Sequence, residues 1–139
     1  MLKIHYKKSP ELYTKSAEVL PNSDVKELVS EMFALMYANE GIGLAANQVG
    51  ILQRIIVVDI NSLKSAIINP VIIKTKLGLF SSIESCLSFP GAEVKMQRHK
   101  LIVVEGFDEN WEPVKMKLRG LASACIQHEI DHLNGVTIK

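Results

Sequence analysis

Between residues 54 and 119 the chain carries four short segments dense in valine and isoleucine, with no amphipathic helix between consecutive ones. They read RIIVVDI (54–60), AIINPVIIKT (66–75), KLIVVEGFD (100–108) and PVKMKLR (113–119), bounded by Asn, Gly, Asp or Pro. β-Branched side chains suit the pleated surface of a sheet, and the breakers mark strand ends. Strands that follow one another without crossover helices pair as antiparallel neighbours, which argues against βαβ winding. The stretch DENWE (108–112) has the composition of a hairpin loop, so the last two segments are expected to pair. Pro70 has no amide hydrogen to donate, so its strand is expected to lie at an edge or to be interrupted there.

Helical periodicity flanks this block. Over residues 24 to about 39, Val25, Leu28, Val29, Met32, Leu35 and Met36 recur at the spacing of one apolar helix face, with Lys26, Glu27 and Glu31 between them. Asn22, Ser23 and Asp24 offer capping side chains, and Gly41 and Gly43 are expected to end the helix by accepting positive φ. A second helix, from about 120 to 133, places Leu121, Ala124, Cys125, His128 and His132 on one face, with Gly135 as its expected cap. Helix, strands, helix is an α+β order.

A chain of 139 residues is expected to form a single domain, 1–139. Sixteen basic and 15 acidic residues are interspersed for a net charge of +1, so no basic stripe favours nucleic acid or an anionic membrane. No apolar run approaches the ~20 residues of a membrane span, and MLKIHYKKSP at the start lacks the apolar centre of a signal peptide. A cytosolic location is expected. Two cysteines, Cys86 and Cys125, are too few for a disulfide framework and are wrongly spaced for a zinc finger or a redox pair. A lone cysteine is most often a small buried hydrophobe, so only context can give either one chemistry.

The context is His128-Glu129-Ile130-Asp131-His132. On a helix these two histidines are separated by ~6 Å of rise and ~40° of rotation, so both imidazoles can close on one ion. The longer metalloprotease pattern asks for a third histidine six residues on, where this chain has Ile138. No Cys, His, Asp or Glu follows His132, so a third ligand lies upstream, among Cys125, Cys86, His5, His99 and the carboxylates. Cys125 would share the helical face, but ~10.5 Å of rise to His132 is too long a span for one ion with a ~2.3 Å sulfur bond. Cys86, in the small-residue stretch ESCLSFPG (84–91), is the choice, delivered by a loop between strands.

Three segments together resemble the signature motifs of peptide deformylase: GIGLAANQVG (41–50), ESCLSFPG (84–91) and QHEIDHLNG (127–135), in that family's order. Weaker similarity runs from about Ile4 to Val136 and includes SPELYTKSAEV (9–19) and Ile68-Asn69-Pro70. The resemblance implies antiparallel strands packed around a central metal-binding helix, with the N-terminal amphipathic helix beside them. It implies one divalent ion on Cys86, His128 and His132, Fe2+ in most members, with Zn2+, Ni2+ or Co2+ able to take the site and a water as fourth ligand. The implied reaction removes the N-formyl group from the initiator methionine of nascent polypeptides and releases formate.

By the same resemblance Glu129 moves the water's proton to the leaving amine, while Gln48 and the Leu87 backbone N–H hold the oxyanion. Ile42 and Gly43 hold an extended substrate, and the methionine enters a pocket near Leu121, Ala124, Cys125 and His128. Plain core packing is an equally good reading of Leu121, Ala124 and Cys125. The implied partners are N-formylmethionyl nascent peptides, with transient ribosome contact compatible with that substrate, a monomer, and no nucleic-acid or membrane binding. Two departures stand out. The family usually has glycine at the position of Ser85, so a Cβ there is expected to reshape the substrate site more than the metal site. Most members also continue past the metal helix, whereas this sequence stops at Lys139, as in some bacteriophage-encoded members. A general metallopeptidase fits less well, given a thiolate ligand and no downstream one. A non-enzymatic formyl-peptide or metal-binding module is the other alternative.

Overall fold

The computed structural model describes residues 2–139. Its elements run α1 (Lys26–Ala38), β1 (Gly43–Ala45), β2 (Ile55–Ile60), β3 (Leu63–Cys86), β4 (Phe89–Phe107), β5 (Pro113–Arg119) and α2 (Gly120–Leu133), with single 3-10 turns at Pro10–Tyr13 and Ala46–Val49. The five strands form one sheet in the order β1-β2-β3-β4-β5, every pair antiparallel. The α+β expectation holds, and α2 packs across β1, β2, β3, β4 and β5 as the central helix.

Strand β2 explains why two helices are needed. Ile55, Ile56, Val57 and Val58 are all fully buried, so the run does not alternate between core and solvent. Ile55 and Val57 join α1's Val29, Met32 and Met36 in one apolar cluster, while Ile56 and Val58 join α2's Ile126, Ile130 and Leu133 in another. A sheet covered on both faces reads as a continuous apolar string, and each such side chain contributes about 1.5–3 kcal/mol of transfer free energy.

Several local expectations change in the structure. Helix α1 is not ended by glycine: Asn39 follows it and Glu40 carries the left-handed φ of 58°. Gly41 and Gly43 are not in that region, and Gly43 opens β1 instead. At the start of α1 the N-cap position falls to Val25, with no side-chain cap bond, and Asp24 just before it accepts from the Lys26 N–H through Oδ1 at 3.3 Å. Pro70 lies just past the last β2 partner of β3, at Ile68, so the strand is locally an edge there, and its register with β4 shifts between Ile68 and Val71. The hairpin loop falls as expected between Phe107 and Pro113, where Asp108 Oδ1 accepts from the Asn110 and Glu112 N–H groups.

The largest difference is the length of the β3–β4 hairpin, which continues well past Thr75 and begins its return at Phe89. Cys86 is therefore not in a loop. It is the last residue of β3, paired with Phe89 across a two-residue turn. A strand end in a closed hairpin holds a side chain far more rigidly than a loop of small residues would.

Candidate metal centre

Helix α2 is locked in rotation by its own polar side chains. Gln127 Oε1 accepts from the His99 N–H at 2.9 Å while its Nε2 donates to the His99 carbonyl at 2.9 Å, and Ser123 Oγ donates to the same carbonyl at 2.9 Å. One amide thus reads both backbone groups of a strand residue and fixes which helix face meets the hairpin. The far end is closed by a Schellman turn, with Gly135 N–H on His132 O at 2.9 Å and Val136 N–H on Asp131 O at 2.9 Å. Gly135 has φ 75°, as its role as cap requires. Asn47 Nδ2 donates to the His132 carbonyl, and Arg54 Nη1 to that of Leu133 at 3.0 Å, where a cation complements the helix dipole.

With the helix so placed, His132 Nε2 lies 3.2 Å from His128 Nε2 and 3.3 Å from Cys86 Sγ. One ligand atom from each of the three residues falls within 4.8 Å of the others, and all three residues are buried. Tetrahedral ligation with bonds of ~2.0–2.3 Å puts ligand atoms roughly 3.3–3.6 Å apart, so the donor set fits a single divalent ion. His128 Nδ1 is 2.9 Å from Glu84 Oε1, which leaves Nε2 free for a metal. His132 Nδ1 is buried without a partner. His5 and His99, the other histidines considered, are elsewhere: His5 sits against Gly50 with Nδ1 3.4 Å from Glu11, and His99 anchors α2 through its backbone.

A cavity of about 560 Å³ opens above the centre. Its lining includes Cys86, His128, Glu129 and Gln48, together with Ile42, Gly43, Ser85, Leu87, Leu121, Ala124 and Cys125. Every site residue named from the sequence except His132, which is 1% exposed beneath the others, reaches this cavity. Cys125 is buried in the apolar cluster shared with β2 and also lines the cavity, Ala124 is buried and lines it, and Leu121 lines it while 51% exposed. Ser85 is exposed opposite the register shift between Glu84 and Cys86. Gln48 is held by the Ala45 N–H on its Oε1 at 3.0 Å, which points Nε2 at Cys86 Sγ (3.4 Å) and Ser88 Oγ (3.1 Å).

The electrostatics follow from burial. Glu129 Oε1 is buried with no partner, and burial pushes the carboxyl up to about 7 despite the nearby His128 and Arg98 charges. Burial also raises the Cys125 thiol, so that cysteine stays protonated and apolar in character. For Glu84 burial opposes ionisation, yet hydrogen bonds from Arg98 and His128 hold it down at about 2. The two imidazoles divide sharply without an ion: burial and the neighbouring His128 and Arg98 charges hold His132 down at about 3. Burial acts against His128 as well, but Cys86 and Glu84 raise it to about 10.

Sequence reasoning missed Glu84, Arg98, Ser88, Gln127 and Asn47 as supports of the centre. A signal for one of them was present: Ala92, Val94 and Met96 alternate as the half-buried side of a strand, and Arg98 occupies the next position of that series, only 5% exposed. A charged residue in an inward slot marks a paired, functional environment.

A thiolate and two imidazoles from a His-Glu-x-x-His helix, beside a buried carboxyl in an open cavity, define a metal-dependent hydrolase. A family model for polypeptide deformylase matches residues 1–139. The chain is 47% identical over 116 residues to a peptide deformylase of Blochmanniella floridana, covering 81% of this chain and 66% of that protein. It is 39% identical over 143 residues to the one of Thermodesulfovibrio yellowstonii, covering 97% of this chain and 86% of that protein. Its fold superposes with a TM-score of 0.97 on the deformylase of the Vibrio parahaemolyticus bacteriophage VP16T, solved in complex with actinonin. That pair is 50% identical over 99% of this chain and 100% of the other. The Thermotoga maritima enzyme gives a TM-score of 0.95 at 38% identity, over 99% of this chain and 95% of that one. The chain belongs to the polypeptide deformylase family. It is a metal-dependent hydrolase of N-formylated peptides that uses one divalent ion.

Proposed function

We propose that the chain removes the N-formyl group from the initiator methionine of nascent polypeptides with a division of labour set by the cavity. Strand β1 is a sheet edge, and Ile42 and Gly43 at its start line the cavity, so an extended peptide can add alongside as a further strand. The methionine side chain enters between Leu121, Ala124 and Cys125, whose apolar atoms select it over polar residues. Cys86, His128 and His132 would hold the ion, which when bound would supply Lewis acidity for acidifying a water and polarising the formyl carbonyl.

Glu129 takes the water's proton on its unpartnered Oε1 and returns it to the amine that leaves with the peptide. Burial of this carboxyl favours its holding the proton between the two halves of that transfer. Gln48 Nε2 and the Leu87 N–H donate to the oxygen as it becomes anionic, and the Ala45 contact keeps the Gln48 amide from flipping. Ser85 stands where the substrate backbone passes, so it tunes substrate affinity rather than the ion. Fe2+ is the native ion in this reading, with Zn2+, Ni2+ and Co2+ compatible with the same sulfur and nitrogen donors. The chain works as a cytosolic monomer on peptides at the ribosome, where formylated substrates arise.

The observation that carries the reading is the unpaired, buried Glu129 oxygen beside three converging ligand atoms. Protein loaded anaerobically with Fe2+ is expected to release formate from formyl-Met-Ala-Ser and to leave unformylated Met-Ala-Ser intact. Absence of formate from both iron and nickel protein would remove the proposed activity, and cleavage of the unformylated peptide would replace it with a peptidase.

A further inference from the structure

Asp131 belongs to the His128–His132 run but does not line the cavity, and the chemistry above gives it no part. Its Oδ2 accepts from Arg98 Nη1 at 2.6 Å. Arg98 also grips Glu84 with two parallel bonds, Nε to Oε2 at 2.9 Å and Nη2 to Oε1 at 2.7 Å. That same Glu84 Oε1 lies 2.9 Å from His128 Nδ1. A single guanidinium on β4 therefore connects a carboxylate on β3 to one on α2, and through Glu84 it reaches a metal ligand.

A buried ion pair of this kind is weak grounds for stability, since apolar packing of equal volume does as well. Its geometric effect is specific. A carboxylate alone rotates about its terminal torsion, but one held by a planar two-point fork has its plane and both oxygens fixed. With Oε1 fixed as the acceptor, a metal-ligating His128 keeps its proton on Nδ1 and presents the Nε2 lone pair toward Cys86 and His132. Lysine could supply the charge but not the plane.

We propose that Arg98 is a positioning residue of the metal centre, orienting His128 through Glu84 and itself held to the helix by Asp131. The inference rests on the reading of Cys86, His128 and His132 as the ligands. Because Arg98 is neither in the ligand set nor in the cavity lining, its effect is expected in metal retention, at the scale of about 10–100-fold for such supporting partners.

The test is Zn2+ affinity of the metal-free full chain, measured by competition with a chelator, with the Tm of the metal-free protein recorded beside it. Arg98→Ala is expected to lose about 10–100-fold in affinity, to recover most of it in millimolar methylguanidinium, and to be poorly replaced by Arg98→Lys. Asp131→Asn, a milder change at a half-exposed side chain, is expected to lose less in the same direction. A merely structural arginine would lower the metal-free Tm and leave Zn2+ affinity as in the parent. That result overturns the proposal, as does a loss that methylguanidinium does not touch. If Arg98→Ala fails to fold, Glu84→Gln decides instead: unchanged Zn2+ affinity there overturns the proposal, and a loss of about 10-fold or more supports it. Failure of the parent chain to bind Zn2+ at all would instead take down the ligand assignment itself.

Discussion

Gly43 is the position where a single methyl group tests the arrangement most directly. A Cβ built there would lie 2.5 Å from Glu129 Oε2 and 3.0 Å from Cys125 Sγ. Carbon contacts settle near 3.5–4.0 Å, so Gly43→Ala must move the carboxylate by about 1 Å or push β1 away from α2. The backbone at Gly43 is not left-handed, so the alanine itself is unstrained and the fold should tolerate it. Glu129 is 4% exposed and its other oxygen is already without a partner, so the displaced carboxylate gains no hydrogen bond in the structure to hold it in a new position. A misplacement of about 1 Å in a reacting group costs on the order of 100-fold, or about 2.7 kcal/mol of transition-state stabilisation.

The expected result is therefore a fall of about 100-fold in kcat/KM for formate release from formyl-Met-Ala-Ser, with metal content unchanged. Part of that fall could come from the substrate strand rather than from Glu129, and a double-mutant cycle separates the two. In a Glu129→Ala background the carboxylate clash is gone and only the 3.0 Å contact with Cys125 Sγ remains, so Gly43→Ala should cost little further. Wild-type activity in Gly43→Ala, or a full additional loss on top of Glu129→Ala, would refute the placement of Glu129 against Gly43.

Glu129→Gln is expected to keep the metal and to lose about 100- to 10,000-fold in kcat, read from formate release on metal-matched samples. Cys86→Ala removes one of three ligands, so metal analysis after dialysis should show little ion; a stoichiometric ion would remove Cys86 from the ligand set. Glu129 also predicts a pH effect on the metal-free protein. Its unfolded carboxyl ionises near 4.5 and its folded one at about 7, so the folded state holds the extra proton between those values. Stability is thus lost as pH rises through that window, and the Tm of the parent relative to Glu129→Gln should fall between them and then level off. Parallel Tm curves would contradict the burial of an unpaired carboxyl.

The sequence made different parts of this molecule visible for different reasons. The apolar period of α1 and the valine and isoleucine runs of β2 and the second half of β4 survive in the fold because burial on one or two faces dictates composition there. His128, His132 and Cys86 were legible because metal ligation restricts residue type and helical spacing. The first half of β4 was not recognised, although its Ala92, Val94 and Met96 alternate, because the intervening Glu93, Lys95 and Gln97 gave the stretch a polar look. Missing that strand turned Cys86 into a loop residue and hid Arg98, whose role depends on contacts to Glu84 and Asp131, 14 and 33 residues away. Such contacts follow from register, and register is set by bulges and by a two-residue turn that local propensity does not encode. The left-handed Glu40 was invisible for a simpler reason: glycines nearby offered a more ordinary cap.

The hairpin tip that carries Cys86 and the helix that carries His132 are 46 residues apart along the chain. An ion gripping both is a weld across the tertiary seam as well as a reagent. Since the unfolded chain cannot assemble the three ligands, free metal at about 100 times its dissociation constant would strengthen the fold by about 2.7 kcal/mol. The stability of the fold then follows the free metal concentration. A chelator disarms it and loosens it at the same moment, along the line where the hairpin meets the helix.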